Sequence, residues 1–247
     1  MESKMFNLFK KKNVRGIDLQ NLPSHIGIIM DGNGRWAKKH NLPRSLGHKA
    51  GADALKKIAT YCDKIGIKAL TVYAFSTENW KRPKDEVDAL MKLLSDYLAN
   101  AKRDLGGKNI VIKAIGDLSV LSEKMQKQII ETEDFTKNNT GTVLNIAINY
   151  GGRGEILNAV KQIVKSGISA ENVNEEAIEK YLYTANLPDL DFIIRPSGEM
   201  RLSNFLLWQS AYAELWFNNV LWPDFNEKHL KAAIIEFQNR NRRFGGV

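Results

Sequence analysis

Cysteine is almost absent: Cys62 is the only one in 247 residues. An internal disulfide and a cysteine-built zinc site are therefore excluded, and a packed thiol is the plain reading. No apolar run approaches the roughly 20 residues of a membrane-spanning helix, so the chain is expected not to span a membrane. A secretory leader is missing as well. Met1 to Lys12 carries Lys4 and the triplet Lys10, Lys11 and Lys12 where an uninterrupted apolar stretch would be needed, which predicts a cytoplasmic location. Zinc-finger spacing, an RNA-binding aromatic signature and a long basic helix are all lacking, and the basic residues are spread along the chain, which argues against nucleic acid as a partner. There is no internal repeat and no low-complexity tract.

What is present is a composition of 43% hydrophobic and 26% charged residues, that of a soluble globular protein. At this length one α/β domain is the favoured organisation. The net charge of +8 points to acidic partners: nucleic acid, an anionic membrane surface or phosphorylated small substrates. Residues 1 to about 22 read as a flexible arm, ahead of a domain spanning 23–247. The arm interleaves Met5, Phe6, Leu8 and Phe9 before the lysine triplet. It is first a frayed terminus and second a short amphipathic segment for peripheral contact with anionic lipid.

Beyond the arm, short apolar runs alternate with helical patterns, the mark of an α/β fold with a central, mainly parallel six-stranded sheet flanked by helices. Strands are predicted at Ile26–Met30, Ala69–Phe75, Ile110–Ile115, Val143–Ile148 and Phe192–Ile194, with a sixth around Ala213–Phe217. Apolar residues near a 3.6-residue period predict helices over Ala50–Ile65 and Val87–Leu105. Gly66, the pair Gly106 and Gly107, and Gly167 suit helix C-caps, and Pro83 with Asp85 and Glu86 suits a first turn.

Ligands of open α/β sheets collect beyond the carboxyl ends of the strands, so the residues after each strand matter most. The first strand is followed by Asp31-Gly32-Asn33-Gly34-Arg35-Trp36, in outline a phosphate cradle: glycines for close backbone approach, free amides, and an arginine. Asp31 would repel an anionic ligand there unless a hard cation such as Mg²⁺ bridges carboxylate and phosphate, which suggests a magnesium-diphosphate enzyme. The second strand leads into Ser76-Thr77-Glu78-Asn79-Trp80-Lys81-Arg82 and the fourth into Asn149-Tyr150-Gly151-Gly152-Arg153. The fifth leads into a segment with Arg195, Arg201, Leu202, Ser203 and Asn204.

Arg195, Arg201 and Ser203 form a second candidate anion site, because guanidinium forks bind phosphate oxygens bidentately. The alternative is that these arginines cap carbonyls or pair with Glu199 and Asp191. His48, on the segment from Arg44, could donate to a phosphate, whereas His25, His40 and His229 read as structural or exposed. Glu214 lies among apolar residues and needs a partner. It either forms a salt bridge with an arginine or joins Asp31 as a second Mg²⁺ ligand. Trp36, Phe75, Trp80 and Trp208 read as core by default.

The blocks His25–Ala37, Ala74–Pro83 and Arg201–Gln209, with Trp222-Pro223-Asp224-Phe225, closely resemble the signatures of cis-prenyltransferases, particularly bacterial undecaprenyl diphosphate synthases. The resemblance runs from about His25 to the C-terminus. It implies a homodimeric, Mg²⁺-dependent enzyme that adds isopentenyl diphosphate units in cis geometry onto farnesyl diphosphate. It implies further that Gly32, Asn33, Gly34, Arg35, Arg44 and His48 hold the allylic diphosphate. Asp31 would hold the metal, and Arg195, Arg201 and Ser203 the isopentenyl diphosphate. Asn79, with Ser76, would lie near the proton lost after condensation, on a substrate-facing loop that also carries Thr77, Glu78, Trp80 and Arg82, and Trp36 and Leu202 would face the substrates as well. The proton acceptor stays open, since a neutral amide is a poor base. Glu214 would reach the site of the dimer partner. Met200 stands where some relatives carry a histidine, and a thioether cannot serve a hard cation.

A long apolar tunnel is required for such a product, and each added carbon gains about 0.8 kcal/mol on leaving water. Its expected walls include Leu90, Met91, Leu94 and Leu98, with Ala74 small at the mouth. Trans-prenyltransferases need aspartate-rich helical motifs, which this chain lacks. A non-catalytic relative should have lost phosphate or metal residues, whereas Asp31, Arg35, Asn79, Arg195, Arg201, Ser203 and Glu214 are all present.

Overall fold

The computed structural model describes residues 13–14, 16–105 and 108–240, with side chains at 16–100 and 108–240. Six apolar runs pair side by side into one parallel sheet, because each crossover is long enough to return the chain to the same edge. In chain order the strands are β3 (His25–Ile29), β4 (Ala69–Ser76), β5 (Val111–Ile115), β6 (Val143–Tyr150), β7 (Phe192–Arg195) and β8 (Glu214–Phe217), preceded by the two-residue strands β1 (Asn13–Val14) and β2 (Ile17–Asp18). The spatial order is β5-β6-β4-β3-β7-β8, and every pairing in it is parallel. β3 and β7 are buried at every position, as expected of central strands covered on both faces.

Seven helices complete the described fold: α1 (Asn33–Lys39), α2 (Arg44–Ile65), α3 (Lys84–Leu105), α4 (Glu123–Thr136), α5 (Gly152–Ser166), α6 (Glu175–Glu179) and α7 (Glu227–Asn239). The largest core packs α2 and α7 against Ile26, Ile28, Leu70, Val72, Phe192 and Ile194 of the sheet. A second cluster gathers Ile29, Ala147, Tyr150, Ile193, Phe205 and Leu206. A third joins α3 and α4 to Phe75 and Ile148. Each fully buried isoleucine or leucine contributes roughly 1.5–3 kcal/mol relative to exposure.

The predicted strands agree with those observed to within two residues at each end, but both predicted helices begin early. α2 starts at Arg44, six residues before Ala50, with Pro43 as its N-cap. Leu46 is the one apolar side chain of its first turn and is exposed, so there is no apolar stripe for periodicity to detect. α3 starts at Lys84, with Asp85 and Glu86 in the first turn. Gly66 and Gly167 close α2 and α5 in the left-handed conformation, whereas Gly106 and Gly107 lie outside the described residues.

Residues 1–12, on which the lipid-contact reading rests, also lie outside the described residues. The remainder of the expected arm is anchored, which shortens it. Ile17 is fully buried in the main core, and Gln238 of α7 donates to the carbonyls of Asp18 and Asn21. Cys62 is buried, its thiol pushed up to about 12 by desolvation, as a packed thiol should be. Among the described residues no helix is long and apolar enough to cross a membrane.

Candidate active site

The carboxyl ends of β3, β4 and β7 open onto a polar cleft of about 830 Å³. Asp31, Gly32, Asn33, Gly34 and Arg35 form one wall; Arg44 and His48 of α2 continue it; Ser76, Glu78, Asn79 and Arg82 line another; Arg195, Arg201 and Ser203 close it. Both predicted anion sites therefore face one space. Gly32 is needed at the turn itself. Its φ of 99° lies in the left-handed region, and a Cβ there would meet Ser197 Oγ at 2.4 Å. No side chain caps the start of α1, so its leading N–H groups have no protein acceptor from that source.

Asp31 is the electrostatic hub. Its two oxygens meet Arg35 at 3.2 Å and Arg195 at 3.0 Å. Arg195 is buried and also donates to Ser203 Oγ at 2.8 Å and to the Arg201 carbonyl. Arg35 donates to the carbonyl of Ser197 at 2.8 Å, which ties the loop after β7 to α1. The alternative reading of the arginines is met except for one partner, since Arg195 caps the Arg201 carbonyl. Arg201 pairs with Glu199, but the carboxylate on Arg195 is Asp31 rather than Asp191, which instead receives the backbone N–H of Ser24 at 2.6 Å.

Glu86 stands in the first turn of α3. It accepts from Arg82 at 2.7 Å, pairs with Arg44 at 3.1 Å and lies 3.9 Å from His48 Nε2. It gathers three cleft groups onto one carboxylate; the four-residue spacing announces Arg82, but nothing in the spacing announces Arg44 or His48. Burial first, then the neighbouring Arg82 charge, lowers His48 to about 4, so the imidazole is neutral at physiological pH and keeps one donor. Among the described residues, Asn33 Oδ1, His48 Nε2 and Arg195 Nε are buried cleft atoms without a hydrogen-bond partner, polar capacity of the kind a ligand satisfies.

Asn79 closes a capping box with Ser76. Its Oδ1 accepts the Ser76 N–H at 3.2 Å, so the free end of the amide is the donor. That arrangement suits anion binding and counts against Asn79 as a base.

Five predicted residues do not line the cleft. The Trp36 indole donates outward to Asp224 at 2.7 Å. Thr77 is exposed beside the loop. Trp80 packs edge-on against Phe75 and donates to Asn149 at 2.8 Å. Leu202 packs on the cluster around Tyr150 and Phe205. Glu214 lies away from the cleft of its own chain. It begins β8 level with Phe192, which is level with Ile26, at the opposite end of the sheet from Asp31, and it pairs with Arg240 at 2.7 Å. Within one chain Glu214 and Asp31 do not meet. Conversely, Lys38, Tyr73 and Asn204 line the cleft without having been predicted. Lys38 could have been found one helical turn beyond Arg35.

Below the cleft a narrow apolar tunnel of about 130 Å³ runs between α2, α3 and the sheet. Leu90, Met91, Leu94 and Leu98 all line it, as expected of the tunnel wall. Met30, Asn33, His48, Ala74 and Leu90 border both cavities, so the two adjoin and share a wall.

The family model for undecaprenyl diphosphate synthase prenyltransferases matches residues 29–245. An isoprenyl transferase of Clostridium tetani is 54% identical over 98% of this chain and 100% of its own length. One from Fusobacterium nucleatum is 54% identical over 92% and 98%. Among solved structures, lavandulyl diphosphate synthase from Lavandula x intermedia, in complex with dimethylallyl diphosphate, superposes with a TM-score of 0.87 at 36% identity, covering 91% of this chain and 99% of that one. A probable undecaprenyl diphosphate synthase from Campylobacter jejuni gives 0.78 at 37% identity, covering 92% and 100%. A polar cleft above an apolar cavity, on this sheet and with these relatives, places the chain in the undecaprenyl diphosphate synthase family of prenyltransferases.

Proposed function

We propose that the chain condenses isopentenyl diphosphate units in cis geometry onto farnesyl diphosphate, giving a long-chain polyprenyl diphosphate of the undecaprenyl class, a lipid-carrier precursor for cell-wall synthesis. The shared rim of cleft and tunnel carries this reading. A substrate with an anionic head and a growing apolar tail matches a cationic chamber that adjoins an apolar bore. The Gly32–Arg35 turn, Arg44 and His48 hold the allylic diphosphate, and Arg195, Arg201 and Ser203 hold the isopentenyl diphosphate. The new carbon–carbon bond forms as the allylic diphosphate leaves, and a proton is lost from the isopentenyl unit. Asn79 orients that end as a donor. The departing diphosphate is the stronger candidate for proton acceptor.

Mg²⁺ fits this donor set through Asp31. Among the described residues no three His, Cys, Asp or Glu side chains converge, so phosphate oxygens and water would complete the shell, the mode Mg²⁺ prefers. When bound it supplies positive charge for the leaving group.

We further propose a homodimer. Leu157, Val160 and Val164 lie exposed along α5, and Leu215 lies exposed on the edge strand β8, surface of the kind a second copy covers. A second copy could also bring Glu214 to the cleft, which one chain does not do. The apolar product argues for delivery at a membrane surface by an otherwise cytoplasmic enzyme.

The test is incubation with farnesyl diphosphate, isopentenyl diphosphate and Mg²⁺, with and without EDTA, and resolution of products by length. A Mg²⁺-dependent ladder ending at undecaprenyl diphosphate is expected. A shorter end point keeps the reaction and changes the biological role. Absence of product from folded protein favours a non-catalytic subunit.

A further inference from the structure

We infer that Asn204 is a positioning residue for the condensation: its carboxamide ties the Ser76–Arg82 loop, the amino end of α5 and the Arg201–Ser203 loop into one wall of the cleft. The inference rests on the function proposed above. Asn204 Nδ2 donates to Glu78 Oε1 at 2.9 Å, and its Oδ1 accepts the Arg153 N–H at 2.9 Å. Its backbone carbonyl accepts the Gly152 N–H at 2.7 Å. Gly152 and Arg153 open α5, whose N-cap Gly151 offers no side-chain cap, so a residue from another loop caps this helix. The two bonds need an acceptor and a donor on separate atoms at the end of one short side chain, which a carboxamide supplies. Gly151 makes room for it, since a Cβ there would lie 2.6 Å from Asn204 Nδ2.

The tie connects the two proposed halves of the reaction. Ser203, next to Asn204, accepts from Arg195 at 2.8 Å on the isopentenyl side. Glu78 is next to Asn79, and the Ser76–Asn79 capping box already makes that loop internally stiff. Asn204 is therefore what sets the distance between the loop and the opposite wall. Burial opposes the charge on Glu78, but hydrogen bonds from Asn204, its own backbone, Ser76 and Thr77 hold its carboxyl below the usual range. Tyr73 is the titratable neighbour of Glu78, and burial first, then the Glu78 charge, raises its phenol far above the ordinary value.

The experiment compares full-length wild type, Asn204→Gly and Asn204→Asp in steady-state kinetics against pH, and in hydrogen exchange. Glycine keeps the left-handed backbone at φ 64° without strain and removes both side-chain bonds. Asn204→Gly should lower kcat about ten- to a hundredfold. It should also raise the KM for isopentenyl diphosphate more than that for farnesyl diphosphate, and speed exchange of the Arg153 amide. Asn204→Asp keeps the acceptor for Arg153 but sets a second carboxylate against Glu78. Its kcat/KM should fall as pH rises, along a limb that wild type lacks, and adding Glu78→Gln should abolish that limb. A pH profile of Asn204→Asp that superposes on wild type overturns the inference. So does an Asn204→Gly protein with normal kinetics and only a lower Tm, because that would mark a purely structural cap. If wild type makes no prenyl product, the functional reading fails separately. Unchanged exchange at Arg153 in Asn204→Gly then removes the tie as well, and faster exchange keeps it.

Discussion

Asp31 shows how one side chain can be read both ways. Its two arginine contacts would pass for an ordinary ion-pair cluster, yet all three groups border a cleft with unpartnered buried polar atoms. Asp31→Ala is expected to lower kcat about a hundredfold or more with the fold intact, because Arg195 keeps Ser203 and the Arg201 carbonyl as acceptors. Near-normal turnover at saturating Mg²⁺ would remove Asp31 from the chemistry. Arg201→Ala should chiefly raise the KM for isopentenyl diphosphate, and an effect confined to farnesyl diphosphate would mean the two sites are exchanged. His25 belongs to stability instead. Its Nδ1 donates to the Pro188 carbonyl at 2.9 Å, its Nε2 accepts from Thr71 at 2.7 Å, and burial lowers its pKa to about 4. The unfolded chain, with a pKa near 6.5, then binds the proton more readily than the fold does. Stability from this residue is complete above about pH 6.5 and is lost as pH falls toward 4, by up to roughly 3 kcal/mol. Urea midpoints against pH should show that slope, and His25→Gln should flatten it.

At the scale of elements, α2 and α3 shape the apolar bore, since residues of both line it beside the sheet. Ala74 sits where cleft and tunnel meet. Ala74→Leu is expected to shorten the product distribution while leaving the first condensation fast. An unchanged ladder by chromatography would show that the mouth does not limit length. The stripe Leu90, Met91, Leu94 and Leu98 was legible as an apolar face, but its pattern fits a core as well as a tunnel. Leu98 is buried in the third cluster and also lines the bore, so both readings hold for one residue. The first turn of α2 stayed hidden because Arg44 and His48 serve the cleft rather than the core, and periodicity reports only core-facing residues.

At the scale of the whole molecule, Glu214 poses a test that no single chain can answer. It lies at the amino end of its strand and pairs with Arg240. If a second copy brings it to Asp31, Asp31→Ala and Glu214→Gln dimers should each be poor catalysts. Mixed dimers should then regain activity, because one of their sites receives both intact carboxylates. Failure of mixing to restore turnover, with exchange of subunits verified by sedimentation, would leave Glu214 a structural ion-pair partner.

The sequence by itself determined the strand order along the chain, the α/β class and the residue types gathered after each strand, because local periodicity and glycine placement are properties of short segments. It also carried the cradle Asp31–Arg35 and the pair Arg195 and Arg201 as candidate anion binders in type, though not in partnership. Only the tertiary structure decided that Arg195 turns to Asp31, that Glu86 collects Arg82, Arg44 and His48, that Trp36 points away from the cleft, and that Asn204 joins three loops. Apart from the four-residue step between Arg82 and Glu86, each of those contacts joins segments far apart in sequence. Which partner wins there depends on the order in which strands stack and on burial, and neither is written in any one segment.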